Sequence, residues 1–424
     1  MSTETTGQKS WTDRITDWME VMAPLFDQVH LASVRDGLAA LMPLLIIGAF
    51  SLLAVQFPIQ SWLDYLDANP DLTGKIYAPF NITFGLLSVF ASITIAYGLA
   101  RRRGLEPLMP SAMSLLAFVT ITSPILGMWG EEGLPGTYFD NSGLFTAIIV
   151  GLLSVEIYNF FVKRNLVIKM PEQVPPAIAN SFIALTPGIV ILFGAWLVRV
   201  MLGIDFAGGV VQVLSYIVPA ASSYIAAAIA ETFHAFLWTL GIHGDLTIGI
   251  VLSPIWTSNL ADNAKAVAQG LPAPWIYTEF FRTYVVPGGS GATLPLAIYM
   301  TRSKSARLRR VGWLGVWPGI FNINEPITFG TPVIFNPVMA IPFIIITFLN
   351  TTVTWIAHAI GFVQPAYISV PWTLPTPILA YLQHGYDWKA IILALITEFV
   401  IPGIIWYPAF RAWEHIVLEK EQEE

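Results

Sequence analysis

The amino-acid sequence predicts an all-α polytopic membrane protein. Of its 424 residues, 55% are hydrophobic and 12% are charged, whereas about a quarter of the residues in a soluble domain are charged. Uncharged stretches recur at lengths of about 20 residues, which is what an α-helix needs to cross a bilayer. The 15 tryptophans and 26 phenylalanines fit a protein that places aromatic side chains at the membrane interfaces.

Composition also excludes several classes of function. The chain contains no cysteine, so it has no disulfide, no thiolate metal site and no cysteine nucleophile of its own. Its net charge of −7 and its 21 lysines and arginines argue against a nucleic-acid partner. The polar start of the chain is not followed directly by an apolar core, so no cleavable signal peptide is evident.

The first half of the chain is predicted to form one amphipathic helix and five spans. Apolar residues recur at helical spacing over 15–34, with polar and charged residues between them. This pattern indicates a helix that lies either at the membrane interface or on the surface of the protein itself. Five uncharged runs follow, at 37–57, 80–100, 107–128, 142–162 and 178–198.

The segments that join these runs alternate in charge. Two of them are basic, at Arg101–Arg103 and Lys163–Lys169, and the other two carry aspartates and glutamates. Because basic loops face the cytoplasm, the N-terminus is predicted to be cytoplasmic.

The second half of the chain is less regular. A small apolar run at 207–230 predicts either a span or a helix lying along the membrane, and polar residues interrupt the apolar sequence from 231 onward. Span-like runs recur at 283–301, 338–361 and 388–410. We therefore expect residues 1–205 to form a scaffold domain and residues 206–424 to form a transport domain.

A broken polar segment, Asn322–Pro337 (NINEPITFGTPVIFNP), lies between two strongly apolar stretches. Its prolines remove backbone donors, so it cannot be an ordinary spanning helix. Broken backbone at membrane depth survives where it is buried in protein or lines a wet cavity. An ionisable residue there is a functional candidate, which singles out Glu325 together with Asn322 and Asn324. The alternative is a carboxylate that caps a broken helix end.

The second motif is Gly241–Asp245 (GIHGD). Glycines on both sides of His243 let the backbone approach a ligand closely, and an imidazole can both donate and accept hydrogen bonds near neutral pH. The alternative is a histidine satisfied within a helix–helix contact, which is how we interpret His234. A metal site made by His and Glu has little support, because no further ligands follow at metal-site spacing.

Two further features are less specific. Gly288–Thr293 (GGSGAT) is rich in glycine, but no Gly-Lys-Ser/Thr follows as a phosphate-binding loop requires. A flexible loop or a tight helix contact is therefore expected. Trp238 and Trp372 either pack against the apolar face of a sugar ring or sit at the membrane interface.

In their order along the chain, GIHGD, GGSGATL, NINEPITFGTPVIFNP and VPWTLPTP resemble the enzyme IIC (EIIC) membrane component of the phosphoenolpyruvate-dependent sugar phosphotransferase system. The resemblance is greatest to its lactose/cellobiose/diacetylchitobiose branch and extends over most of the chain. It implies a homodimer of protomers with about ten transmembrane helices, two re-entrant hairpins and interfacial amphipathic helices. In that family the N-terminal half dimerises and the C-terminal half holds the sugar.

The resemblance also implies roles for particular residues. In that family the histidine of GIHG and the glutamate of NxNEP lie at the bound disaccharide, near the hydroxyl that becomes phosphorylated. His243 and Glu325 are therefore the candidate catalytic residues. The predicted substrate-binding residues are Glu325, His243, Asn324, Asn322, Trp238, Trp372 and Asn81.

The function implied is that of a sugar permease. It would carry a β-linked disaccharide such as cellobiose or diacetylchitobiose across the cytoplasmic (inner) membrane, with phosphorylation of the 6-hydroxyl. The chain would then be the permease subunit of a protein-phosphocysteine–sugar phosphotransferase. Since it has no cysteine, the phosphoryl donor must be on a separate IIB protein, which IIA, HPr and enzyme I supply.

The expected partners are thus a disaccharide, phosphorylated IIB, the lipid bilayer and a second copy of the chain, with both termini in the cytoplasm. No cofactor, metal or nucleic acid is expected. The alternative function is a proton-coupled disaccharide symporter, because an intramembrane Glu–His pair also suits a proton relay. A receptor or channel has less support, because no sequence resembling a selectivity filter stands out.

Overall fold

The computed structural model describes residues 28–57, 59–122, 136–171, 173–331, 333–334 and 336–423. Within these ranges the regular secondary structure is entirely helical, so the predicted all-α class is confirmed. Most of the amphipathic helix expected over 15–34 falls on residues outside the described ranges.

The described residues of the first half form eight α-helices. They are α1 Val29–Ala39, α2 Met42–Val55, α3 Gln60–Asp67, α4 Pro70–Gly85, α5 Leu87–Arg102, α6 Leu108–Thr122, α7 Leu144–Lys163 and α8 Pro176–Trp196. The uncharged runs predicted at 37–57, 142–162 and 178–198 overlap α2, α7 and α8, and the described part of the run 107–128 is α6. The run predicted at 80–100 crosses the break between α4 and α5.

The second half contains shorter and more varied helices. They are α9 Phe206–Ala221, α10 Tyr224–Thr239, α11 Gly244–Ala268, α12 Arg282–Val285, α13 Leu294–Met300, α14 Ala306–Ile320, α15 Glu325–Gly330, α16 Pro337–Ala359, α17 Thr376–Gln383, α18 Trp388–Leu395 and α19 Ile401–Glu423. Several begin where a side chain accepts a hydrogen bond from a backbone N–H of the first turn, which satisfies one of the unpaired donors there. These capping residues are Asp205, Ser223, Ser305, Asn336 and Asp387.

The prediction of a span over 283–301 is wrong. The chain there forms the four-residue helix α12, then a glycine-rich loop, then the seven-residue helix α13. Gly288, Gly289 and Gly291 all have positive φ, at 66°, 95° and 73°, which is incompatible with a continuous right-handed helix. The apolar composition of this run reflects burial inside the protein instead of contact with lipid.

Among the described residues, five helical segments are long and apolar enough to cross a membrane: Val29–Val55, Asn141–Lys163, Ile178–Met201, Pro337–Ala359 and Trp388–Gln422. Two bent pairs raise this number to seven if each pair is one span. The pair α4 and α5 is bent by 42°, and the pair α9 and α10 by 68°. These apolar helices agree with a membrane protein, while the count of about ten spans stays a prediction.

Two apolar clusters position the candidate site. The larger one combines buried residues of both halves, with Leu45 and Phe118 from the first half and Leu260 and Ile368 from the second. The other lies within the second half, where α10, α13, α15, α16 and α19 meet. Its buried side chains include Trp238, Ile327, Phe343 and Trp406, so the segments that carry the motifs rest on a packed base.

Candidate functional site

Glu325 is the first residue of the short helix α15. The chain turns sharply just before it, because Asn322 adopts a left-handed conformation with φ 65°, which asparagine tolerates better than most residues. Pro326 follows in the first turn of α15, where its missing N–H costs nothing. Glu325 is exposed, and its carboxylate has no hydrogen bond or ion pair to any described residue. Among the described residues, no hydrogen bond therefore supports the alternative in which Glu325 caps a helix end.

Asn322 ties three parts of the chain together. Its Oδ1 accepts hydrogen bonds from Gly288 N and from Thr376 Oγ1, both at 2.9 Å. Its Nδ2 donates to the carbonyl oxygens of Trp372 and Leu374, both at 2.8 Å. An amide offers two donors and two acceptor lone pairs, so these four bonds use its full capacity.

Asn324 is buried and binds the glycine-rich loop. Its Nδ2 donates to Ser290 O at 2.6 Å and to Thr293 Oγ1 at 3.0 Å. A Cβ added to Gly289 would lie 2.4 Å from Asn324 Cγ, so glycine is required for this close approach. The GGSGAT segment is thus a tight, buried contact, which is one of the two alternatives that its sequence allowed.

His243 lies in the turn between α10 and α11, and about 44% of its side chain is exposed. Its ring packs against the buried Trp238, with centroids 4.5 Å apart. Trp238 also contacts Phe329 of α15 edge-on, at 6.4 Å, and a Cβ on Gly241 would lie 3.4 Å from Ile334. The structure therefore brings the turn with His243 against the segment that begins with Glu325.

A buried ionic cluster that the sequence analysis did not predict lies behind this turn. Both carboxylate oxygens of the fully buried Glu231 accept from Arg282 Nε, at 3.0 and 3.1 Å. Arg282 Nη2 donates to Asp245 Oδ1 at 2.6 Å, and His234 Nε2 lies 3.2 Å from the same oxygen. Charged residues are rarely buried unless they are paired. The positions of Glu231 and Arg282 within apolar sequence therefore indicated that each is buried with an oppositely charged partner. The sequence does not reveal which charged groups pair with each other.

The two remaining predicted residues differ in their placement. Trp372 is about half exposed, and its carbonyl oxygen is held by Asn322, so it lies beside the Asn322–Pro337 segment. Asn81 lies on α4 and is exposed, and no contact joins it to the other predicted residues within the described ranges. In those ranges no group of three or more His, Asp or Glu residues could hold a metal ion.

Comparison with known proteins gives a consistent result. Residues 35–347 match the family model described as phosphotransferase system, EIIC. The chain is 35% identical over 425 residues to a cellobiose-specific EIIC component of Geobacillus stearothermophilus, covering 95% of this chain and 94% of that one. It is 34% identical over 424 residues to a lichenan permease IIC component of Bacillus subtilis (strain 168), covering 96% and 94%.

A solved structure is also similar over almost the whole chain. The crystal structure of the transporter ChbC, the IIC component of the N,N'-diacetylchitobiose-specific phosphotransferase system, matches with a TM-score of 0.89 at 33% sequence identity. The match covers 96% of this chain and 98% of that one. Sequence and fold therefore point to the same group of proteins.

Proposed function

Because this chain belongs to the EIIC family of the phosphotransferase system, we propose that it carries a β-linked disaccharide such as cellobiose or diacetylchitobiose. It is a sugar permease of that system, it is a membrane protein, and its family implies a IIB partner. The choice of sugar is supported by relatives named for cellobiose and N,N'-diacetylchitobiose, both of which are β-linked disaccharides.

The observation that supports the assignment of the site is the contact between two segments from distant motifs, each of which carries an exposed polar side chain. Glu325 and His243 lie on neighbouring segments, which are joined by the contact of Trp238 with Phe329. A carboxylate and an imidazole next to aromatic rings can hydrogen-bond sugar hydroxyls while the rings cover an apolar sugar face. We assign Glu325 and His243 to the reacting end of the sugar, with Trp372 at its rim.

The chemical step is phosphoryl transfer from a IIB phosphocysteine. The oxygen of the sugar 6-hydroxyl attacks phosphorus in line, the new O–P bond forms, and the S–P bond breaks to release the cysteine thiolate of IIB. Such a reaction depends mainly on positioning and on electrostatic stabilisation. Glu325 accepts the hydroxyl proton or orients the hydroxyl, and His243 hydrogen-bonds the same group or offsets charge.

The negative charge of Glu325 also opposes an incoming phosphoryl group. A second role for this carboxylate is therefore to bind the sugar and to speed release of the sugar phosphate. Glu325→Gln separates the two roles, because it keeps the shape and removes the base. A normal rate of phosphorylation with bound sugar in this variant would eliminate the role as base.

We also propose a division into a scaffold of residues 1–205 and a transport domain of residues 206–424. Several polar contacts join these halves in the conformation described, including one from the hydroxyl of Tyr367 to Gln56 Oε1 at 2.6 Å and two bridges near Asp140. Lys265 Nζ donates to Asp140 Oδ2 at 2.8 Å, and Asn141 Nδ2 donates to Asp262 Oδ1 at 2.7 Å. In this proposal the transport domain moves against the scaffold, which breaks these bridges and exposes the site to IIB.

The proposed setting is the cytoplasmic membrane, with both termini in the cytoplasm. The chain acts as a homodimer, and the phosphoryl group reaches IIB from enzyme I through HPr and IIA. The basic segments Arg101–Arg103 and Lys163–Lys169 support the orientation, since basic loops remain cytoplasmic.

Uptake into proteoliposomes tests the proposed function. Cellobiose, diacetylchitobiose and lactose are compared with and without phosphorylated IIB inside the vesicles. We expect sugar phosphate to accumulate only with phosphorylated IIB, and the ranking of the sugars identifies the substrate. Accumulation of unmodified sugar driven by an imposed proton gradient would contradict the proposal and favour a symporter.

A further inference from the structure

Asp245 is the branch point of the polar contacts behind the candidate site. Its Oδ1 accepts from Arg282 at 2.6 Å and faces His234 Nε2 at 3.2 Å. Its Oδ2 accepts from Trp238 Nε1 at 2.9 Å and from Ser290 Oγ at 3.1 Å. A carboxylate has about four lone-pair sites, and Asp245 uses them for three parts of the fold: α10 through His234 and Trp238, α12 through Arg282, and the glycine-rich loop through Ser290.

One branch leads from Asp245 to His243. The indole N–H of Trp238 is held by Asp245 Oδ2, and the indole lies against the imidazole ring of His243, with centroids 4.5 Å apart and the planes tilted by 45°. His243 Nδ1 itself lies 3.9 Å from Asp245 Oδ2. Since Trp238 is buried, with 3% of its surface exposed, its hydrogen bond to Asp245 fixes the plane on which His243 rests.

The other branch leads from Asp245 to Glu325. Ser290 donates its hydroxyl to Asp245, and the carbonyl oxygen of Ser290 accepts from Asn324 Nδ2 at 2.6 Å. Asn324 directly precedes Glu325 at the start of α15. Asp245 is thereby connected, through Ser290, to Asn324, which is the N-cap residue of the helix that begins at Glu325.

We infer that Asp245 is a positioning residue that couples the placement of His243 to that of Glu325. The inference rests on the proposed function for the role of those two residues. Arg282 and Glu231 anchor Asp245 from behind, so its two bonds toward the site act from a fixed point. The sugar need not touch Asp245 for this coupling to matter, because catalysis by positioning is sensitive to displacements of about 1 Å.

The chemistry requires a carboxylate at this position. The guanidinium of Arg282 and the indole N–H of Trp238 can only donate to Asp245, whereas the hydroxyl of Ser290 donates to it and can also accept. Asparagine presents one oxygen and one NH2 group. With the oxygen of Asp245→Asn toward the positive charge of Arg282, its NH2 group faces the indole N–H of Trp238. The branch to His243 then loses its hydrogen bond, although the volume of the side chain hardly changes.

The test is a set of single and double variants of the full-length protein in proteoliposomes. Trp238→Phe keeps an aromatic ring and removes the N–H, and Ser290→Ala removes the hydroxyl. With phosphorylated IIB and cellobiose, each is expected to lower kcat/KM roughly tenfold, and Asp245→Asn on the order of a hundredfold. In the Asp245→Asn background, Trp238→Phe should change kcat/KM less than about twofold, because the bond it removes is already broken.

A matched control separates positioning from general stability. Ser303 donates to the buried carboxylate of Glu414 at 2.7 Å, which is the same kind of bond away from the candidate site. Ser303→Ala should lower the melting temperature about as much as Ser290→Ala and leave kcat/KM near that of the wild type.

Two results would overturn the inference. One is a full loss from Trp238→Phe on top of Asp245→Asn, which would show that the indole N–H acts independently of Asp245. The other is wild-type kcat/KM in both single variants, a result that can be obtained even if Asp245→Asn does not fold. If the wild type forms no sugar phosphate, the proposed function itself has failed, and equilibrium binding of cellobiose then serves as the readout for the same variants.

Discussion

Asn324 offers the sharpest test of how the Glu325 segment is held. Asn324→Asp preserves the shape of the side chain but replaces the NH2 group by oxygen. The hydrogen bond that Nδ2 donates to Ser290 O at 2.6 Å is then lost, whereas the hydroxyl of Thr293, which accepts from Nδ2 at 3.0 Å, can turn and donate to the new carboxylate. The carbonyl oxygen of Ser290 would face another oxygen inside a buried contact.

The cost can be worked from these contacts. Each lost hydrogen bond is worth about 1 kcal/mol, and the carbonyl left without a donor adds about 1–2 kcal/mol. We therefore expect the ordered conformation of the loop and α15 to be destabilised by about 2–3 kcal/mol. If only the ordered conformation binds sugar, its reduced population weakens the apparent affinity by up to about two orders of magnitude.

The assay is equilibrium binding of radiolabelled cellobiose to the purified protein in detergent. Asn336→Asp is the control, since Asn336 Oδ1 accepts from Val338 N at 3.1 Å as the cap of α16, while its Nδ2 has no partner among the described residues. An aspartate can make the same cap, so this variant should bind sugar more tightly than Asn324→Asp. Affinity within about twofold of the wild type for Asn324→Asp would refute the reasoning, because so small a change corresponds to less than about 0.5 kcal/mol.

Two further predictions concern the glycine-rich loop and the bridge between the halves. Gly291→Ala should prevent accumulation of folded protein, because its Cβ would lie 2.3 Å from the ring of Phe343 at φ 73°; Gly194→Ala, where nothing lies within 4 Å, should express normally on an immunoblot of membranes. Asp140→Asn should change the uptake rate by no more than about fivefold, because a partly exposed ion pair contributes about 0.2–1 kcal/mol. Burial raises the pKa of Asp140, but hydrogen bonds led by that from Lys265 outweigh it, so the pKa lies below its ordinary value, while the pKa of Lys265 is raised by Asp140. The ion pair is lost only as the pH falls through the lowered pKa of Asp140 or rises through the raised pKa of Lys265. The effect of Asp140→Asn on the uptake rate should therefore be constant between about pH 5 and 9. A strong pH dependence of that effect within this range would contradict the role of the ion pair as a bridge between the halves.

The buried ionic cluster illustrates what sequence patterns leave undetermined. His234 was interpreted as structural, and it is fully buried beside Asp245 and Ser290. The two groups nearest its Nε2 come from positions 11 and 56 residues away along the chain, counted from 234 to 245 and from 234 to 290, while only Glu231, 3.8 Å from its Nδ1, is three residues away. Spacing along one helix reveals neighbours three or four residues apart, whereas such distant pairings depend on how helices pack.

The run at 283–301 shows a second limit. Its apolar composition is equally typical of a span and of a buried segment, and composition alone does not distinguish lipid from protein as the surrounding medium. The helix breaks at the glycines 288, 289 and 291, which adopt positive φ in the structure. Their presence in the sequence was the local sign of this break. The glycine-rich sequence was equally compatible with a flexible loop. In the structure the loop is held by the hydrogen bond from Asn324 and by close packing against Phe343.

The amino-acid sequence by itself determined the membrane class, the all-α fold, the family and the two motifs around His243 and Glu325. These features depend on composition and on short ordered patterns, which are local properties of a chain. The meeting of the two motifs, the four bonds of Asn322 and the branching contacts of Asp245 were decided by tertiary structure. Each of them requires donors and acceptors from distant segments to come within hydrogen-bonding distance, and that distance exists only after the helices have packed.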